Sequence, residues 1–426
     1  MQKKVTSLVL MLALMLSMMP LTAFAAEAPE VTATSAILID NETGEVLWER
    51  NADAKREIAS MTKIMVAYLT YEALDEGRIT FGTKVPISDE VRAFSNNTVY
   101  SNLPFDEEKD YTVEEVLDAF MCYSSCAAGP ALGELLYGTE EDCVAAMNEK
   151  AKEMGLDATF TLTYDDGIMS ARTTAKMVRA IVQDYPQILA CTSQVTFEFG
   201  GKTYNTTNKL LTGEWGDIGV VDGMKTGTSP NAGFCFAATS SKDSARLVSV
   251  VMNAASRGDR FNDSAELLSY GYTLLGEKRA AGYAYAYPHT ASVTMDGQAL
   301  ALQAYLVNGN NYVRLRDFAN ILNGTAAQFA LEYDQASNSV VVETGKAYRP
   351  GGSEGLAVGT EPVFTKLLNP TLRVDGAPYA INAYLIDDFN YMKVRDLAAT
   401  VGCGIDYNNA TGEVVLLPNQ TSTAVA

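Results

Sequence analysis

The chain has 426 residues, with 52 acidic side chains against 32 basic ones and a formal charge of -20. So acidic a protein does not seek nucleic acid or an anionic membrane through bulk charge, and its length is more than one core usually serves, so two or three domains are expected. One histidine, His289, and six cysteines without short repeating spacings leave no spare imidazole for a serine triad and no metal site to expect.

Residues 1–25 read as a secretory signal peptide: Lys3 and Lys4, then an apolar run over 5–21, then Ala23-Phe24-Ala25 with small residues for cleavage. The competing reading is an uncleaved anchor, because the apolar run is just long enough to span. Export places the mature protein outside the cytoplasm, secreted or associated with the cell wall. Residues 36–40 and 45–49 are apolar runs around Asn41-Glu42-Thr43-Gly44, a hairpin signature. Helical patterns follow at 61–74, 113–120, 143–154 and 174–182. A second strand pair is read at 233–239 and 245–253, joined by 240–244, and a helix at about 262–275 closes the block. Strands at both ends with helices between predict an α+β domain over 30–277. In it, the first and last strands of an antiparallel sheet meet beneath helices.

Residues 278–290 alternate Ala, Gly and Tyr and read as a linker. Two copies of one unit follow, over 291–348 and 371–418, separated by a Gly/Pro linker at 349–370 and ending in a polar tail at 419–426. Val313-Arg314-Leu315-Arg316-Asp317 matches Met392-Lys393-Val394-Arg395-Asp396, and Tyr305 and Tyr312 match Tyr384 and Tyr391, all at an offset of 79. Tyr333 and Val340 match Tyr407 and Val414 after a short deletion. Each copy reads as strand, strand, short helix, strand, strand. These copies resemble the small α+β modules related to the copper amine oxidase N-terminal domain, on the strength of their Tyr-x-x-x-Arg-Asp core. The resemblance implies an attachment or spacer role; without histidines the copies offer no copper chemistry.

Chemistry gathers at Ser60-Met61-Thr62-Lys63 and Lys225-Thr226-Gly227. Ser-x-x-Lys alone arises by accident about once in a chain of this composition. Here Ser60 precedes an apolar-periodic stretch, so it begins a helix. Serine and lysine then share a face, and the helix N-terminus faces a developing oxyanion. With no imidazole available, a lysine must be the base of any serine enzyme.

Ile-Ala-Ser-Met-Thr-Lys-Ile-Met around Ser60, Val-Asp-Gly-Met-Lys-Thr-Gly around Lys225 and the following Ala-Gly-Phe-Cys-Phe-Ala-Ala-Thr resemble the serine D-alanyl-D-alanine carboxypeptidases, the low-molecular-weight penicillin-binding proteins. The likeness spans about residues 33–275. It implies the fold shared with β-lactamases and a reaction without cofactor or metal. It also implies a peptidoglycan stem peptide as substrate and β-lactam antibiotics as inhibitors. By this resemblance Ser60 is the nucleophile, Lys63 its base and Ser124 the relay to the leaving amine. Lys225, Thr226 and Gly227 receive the substrate carboxylate on a sheet edge, and the N–H groups of Ser60 and Thr228 form the oxyanion hole.

Two departures stand out. Cys126 occupies the place of the asparagine in the family's Ser-x-Asn element, and only Asp165-Asp166-Gly167 remains of a longer loop. They motivate an alternative, a catalytically weakened penicillin- or wall-binding protein. A β-lactamase is disfavoured because no Glu-x-x-Leu-Asn stretch supplies a deacylating base.

Overall fold

The computed structural model describes residues 27–336, 339–408 and 413–420. The expected signal peptide and residues 421–426 of the tail lie outside them. Five antiparallel strands form the first domain's sheet: β1 (Ser35–Asp40), β2 (Val46–Arg50), β3 (Val220–Ser229), β4 (Gly233–Lys242) and β5 (Ala245–Ala254), in the order β2-β1-β5-β4-β3. The first and last strands do meet, Ser35 opposite Met252 and Asp40 opposite Leu247. The turn between β4 and β5 is tighter than the expected connection. Asp243 and Ser244 both take positive φ (49° and 63°), the geometry of a two-residue hairpin whose twist matches its strands.

β1 is buried along its whole length because the sheet is covered on both faces. Ile37 and Ile39 join a core with helices α1 (Lys63–Asp75) and α2 (Ala171–Asp184). Ala36 and Leu38 face the opposite core with α3 (Asp259–Ala280). α1 is apolar nearly all round and threads the domain centre, as a helix without a solvent face must. It is preceded by a single 3-10 turn, Ala59–Thr62. The expected helix at 113–120 divides into an α segment, Val113–Asp118, closed by a capping box at Thr112 and Glu115, and a π-helical turn, Ala119–Tyr123.

The reading of 278–290 as a linker is overturned. Residues 278–280 finish α3, and Tyr283–Met295 is a strand. The Ala/Tyr alternation is the period-two pattern of a strand: Tyr285 is buried, and its hydroxyl donates to the Asp40 carboxylate of the first domain. The two copies are likewise not separate modules. The first strand of each pairs in parallel with the last strand of the other: Val293 opposite Val414, and Leu372 opposite Val340. These two pairings are one contact repeated under the sequence offset. The midpoint is the antiparallel pair Val313–Met392, residues equivalent to each other. Ring contacts repeat as well, Tyr305 to Tyr391 and Tyr312 to Tyr384, each with centroids 5.0 Å apart. The physical reason is that one copy cannot cover its own short helix and sheet face. Both helices, Leu315–Leu322 and Val394–Thr400, share one core that includes Phe318, Leu322, Leu397 and Ala398. The 349–370 segment is also not wholly linker, since Val363–Leu368 is a strand of the shared eight-stranded sheet.

Candidate active site

The turn holding Ser60 is pinned between two neighbours. Ile58 N–H donates to the Gly167 carbonyl (2.9 Å), and Gly167 N–H donates to Thr62 Oγ1 (3.0 Å). On the other side β3 passes so close that a Cβ on Gly227 would stand 2.4 Å from the Ile58 carbonyl oxygen. Only glycine allows the Lys-Thr-Gly strand to reach the serine turn. β3 is the terminal strand of the sheet, so the edge beside Ser60 faces no further strand.

Lys63 opens α1 one turn after Ser60. Its Nζ donates to Ser60 Oγ at 2.7 Å and to the Tyr164 carbonyl at 2.8 Å, and lies 3.5 Å from Cys126 Sγ. The side chain is fully buried, and burial holds its pKa below that of an ordinary lysine. The Cys126 sulfur and the Asp165 carboxylate oppose that shift without reversing it, and the rings of Phe120 and Tyr164 stand 5.6 and 5.9 Å from the amine. Lys225 is 1% exposed and donates to the Thr226 carbonyl (3.0 Å). Burial first, and the nearby charge of Lys63 second, push its pKa well down. A buried amine hydrogen-bonded to a serine hydroxyl can take that hydroxyl's proton.

Ser124 caps the π-helical turn in the left-handed region (φ 73°) and is 6% exposed. The π turn supplies the extra residue that re-aims the chain here. Its loop is fastened by Cys126 N–H to the Ser101 carbonyl (2.7 Å) and Ala127 N–H to Asn102 Oδ1 (2.8 Å). Cys126 Sγ therefore occupies the wall between Lys63 and the Ser124 carbonyl, 3.8 Å away. Thr226 Oγ1 lies 3.0 Å from Thr207 Oγ1, which donates to the Cys122 carbonyl at the π turn. In this way the β3 edge and the Ser124 loop are joined. Asp165, in the shortened loop, has its pKa raised mainly by burial.

One contributor escaped sequence reading. Arg260, at the start of α3, is 3% exposed and reaches through the sheet to the Gly227 carbonyl (3.2 Å) and Thr228 Oγ1 (2.9 Å). Burial lowers its pKa to about 10. The available signal was a charged residue on a helix face otherwise packed against strands.

All six cysteines are buried and unbridged. Among the described residues, Asp118, Cys122 and Cys191 bring three ligand atoms within 4.8 Å of one another. Spacing could not reveal the group, because Cys191 comes from a distant helix. Both thiols donate to backbone carbonyls, Cys122 to Cys191 and Cys191 to Leu117. The bond with Cys122, together with burial, raises the Cys191 pKa, which keeps Cys191 a neutral thiol.

Residues 22–256 match the peptidase S11 family profile, described as D-alanyl-D-alanine carboxypeptidase. The chain is 34% identical over 262 residues to the D-alanyl-D-alanine carboxypeptidase DacC of Escherichia coli, covering 59% of this chain and 65% of that one. It is 31% identical over 251 residues to DacF of Bacillus subtilis, covering 57% and 62%. The matched regions thus span somewhat less than two thirds of these relatives. Among solved structures, penicillin-binding protein D2 of Listeria monocytogenes in its ampicillin-bound form is similar at a TM-score of 0.51 and 27% identity, covering 58% of this chain and 99% of that one. PBP3 of Streptococcus pneumoniae, described as a peptidoglycan synthesis regulatory factor, is similar at a TM-score of 0.53 and 30% identity, covering 65% and 90%.

Proposed function

The chain belongs to the peptidase S11 family of D-alanyl-D-alanine carboxypeptidases, and from that membership we propose that it removes the terminal D-alanine of peptidoglycan stem peptides through an acyl-enzyme on Ser60. The observation that carries the reading is the 2.7 Å contact from a fully buried Lys63 amine to Ser60 Oγ. Neutral Lys63 takes the Ser60 proton as Oγ attacks the carbonyl between the two D-alanines. The tetrahedral oxyanion is received by the Ser60 and Thr228 N–H groups. The C–N bond then breaks, and Ser124 relays the proton held by Lys63 to the departing amine. Water attacks the ester, one of its protons returns through Lys63 to Ser60 Oγ, and the acyl group leaves as a carboxylic acid.

Lys225 and Thr226, with Gly227 keeping the strand close, receive the substrate's terminal carboxylate as the peptide lies along the β3 edge. β-Lactams enter by the same attack and stay as the acyl-ester. The repeat pair serves as an attachment module related to the copper amine oxidase N-terminal domain. It keeps the exported enzyme at the cell wall.

A second reading is favoured by Cys126, whose thiol replaces a carboxamide able both to donate and to accept. In that reading the domain binds wall peptides or penicillin with weakened turnover. The deciding experiment measures D-alanine release from a pentapeptide ending in D-Ala-D-Ala, beside a Ser60→Ala control, with penicillin labelling mapped to a peptide. Release that depends on Ser60, with label on Ser60, is expected. Equal rates with and without Ser60 would leave only the binding reading, and label on another side chain would overturn the assignment.

A further inference from the structure

The internal symmetry of the repeat pair is broken at one place. Under the 79-residue offset, Arg314 corresponds to Lys393 and Arg316 to Arg395. In the first copy both cations are engaged by the chain's own Gly-rich segment between the copies. Arg314 donates to the Leu356 carbonyl, and Arg316 donates to Ser353 Oγ. Arg314 is also neutralised by Asp317 at 2.6 Å, both side chains being 3% exposed. Both guanidinium groups stack 5.3 Å over the ring of Phe389.

In the second copy the same two positions line a cavity of about 280 Å³. Phe389 corresponds there to Asn310, so the aromatic floor is replaced by the amides of Asn310 and Asn311, beside Tyr407. Among the described residues the side chains of Lys393 and Arg395 form no ion pair or hydrogen bond, whereas Asn311 is oriented by His289 at 2.7 Å.

We infer that this cavity is a docking site for an extended acidic peptide, lying where the first copy holds its own inter-copy segment. The argument is one of charge. In the first copy Asp317 already balances Arg314, so a segment offering a carbonyl and a hydroxyl suffices. In the second copy Asp396 stands at the position of Asp317, but among the described residues it pairs with neither Lys393 nor Arg395, which leaves both cations open to a carboxylate of the occupant. With the Asn311 amide held by His289 and Tyr407, and the Asn310 NH2 by the Asn308 carbonyl, the Asn310 amide oxygen and the Tyr407 hydroxyl supply an acceptor and a donor for a peptide backbone. The inference extends the reading of the repeats as an attachment module.

The test uses the full chain and a short fluorescein-labelled peptide alternating Gly and Glu, with a Gly/Gln peptide as control, read by fluorescence anisotropy. Saturable binding of the Glu peptide alone is expected, weakened about tenfold or more by Lys393→Gln with Arg395→Gln and weakened by added salt. Both positions are at the surface of the module, so folding is retained and is checked by an unchanged melting temperature. The inference is overturned by no binding, by equal binding of the two peptides, or by binding indifferent to the double substitution. Binding that emerges only after residues 421–426 are removed would assign the cavity to the chain's own end and overturn it too. Penicillin labelling of Ser60 is measured in parallel. Its failure alongside intact peptide binding would count against the catalytic reading alone.

Discussion

Lys63 Nζ lies 3.5 Å from Cys126 Sγ, so the base of the proposed reaction touches a thiol at the position that the sequence reading assigns to a carboxamide. A thiol is a weak hydrogen-bond partner, and the substrate amide loses a group that could hold it. Cys126→Asn is expected to leave kcat/KM for a D-Ala-D-Ala peptide unchanged or to raise it by up to about fivefold, since one net hydrogen bond is worth about 1 kcal/mol. Steady-state D-alanine release checks this. A large fall would mean that the cysteine has a part of its own.

The buried Lys63 amine carries two pH signatures. Penicillin acylation should rise with pH as the amine loses its proton, and level off below 10.5, the ordinary lysine value. Stability responds in the same direction. Between the lowered folded pKa and the ordinary one, the unfolded chain binds more protons than the folded chain, so the cost of burying Lys63 grows as pH falls through that window. Lys63→Met should therefore abolish acylation yet raise the melting temperature at neutral pH, with the advantage shrinking toward alkaline pH. A variant that melts below the parent at neutral pH would contradict this account.

Gly227 and Arg260 test whether β3 must be held against the serine turn. Gly227→Ala places a methyl group 2.4 Å from a backbone oxygen that cannot swing aside. A loss of about 1–3 kcal/mol of stability and most of the acylation rate is expected. Arg260→Ala leaves the Gly227 carbonyl without its buried donor, a cost of about 1–3 kcal/mol. It should slow acylation about tenfold or more, with partial recovery in Arg260→Lys. Full acylation rates in both alanine variants would remove the positioning role.

The interleaved repeats predict a truncation phenotype. A chain ending at residue 349 strips the 283–295 strand of its partners at 363–366 and 414–416 and uncovers the shared core. Limited proteolysis should digest everything after α3 while the first domain keeps its penicillin labelling. A protease-resistant first copy would show that one unit folds without the other.

Much was written locally. The serine-lysine turn, the Lys-Thr-Gly strand, both hairpins and the repeat offset depend on residues close in sequence, whose spacing one helix turn or one strand pleat fixes. The meeting of the first and last strands was also legible, because apolar runs at both ends of a domain have nowhere else to bury. What only the tertiary structure decided depends on contacts far apart in the chain. Arg260 reaches the Gly227 carbonyl from the start of a later helix, and Cys122 and Cys191 approach across 69 residues. The two copies exchange strands because neither can cover its own core, and periodicity along one chain carries no record of which copy a strand will choose. Lys63 is the clearest case: its position was readable, but its lowered pKa comes from the burial that the whole domain folds around it.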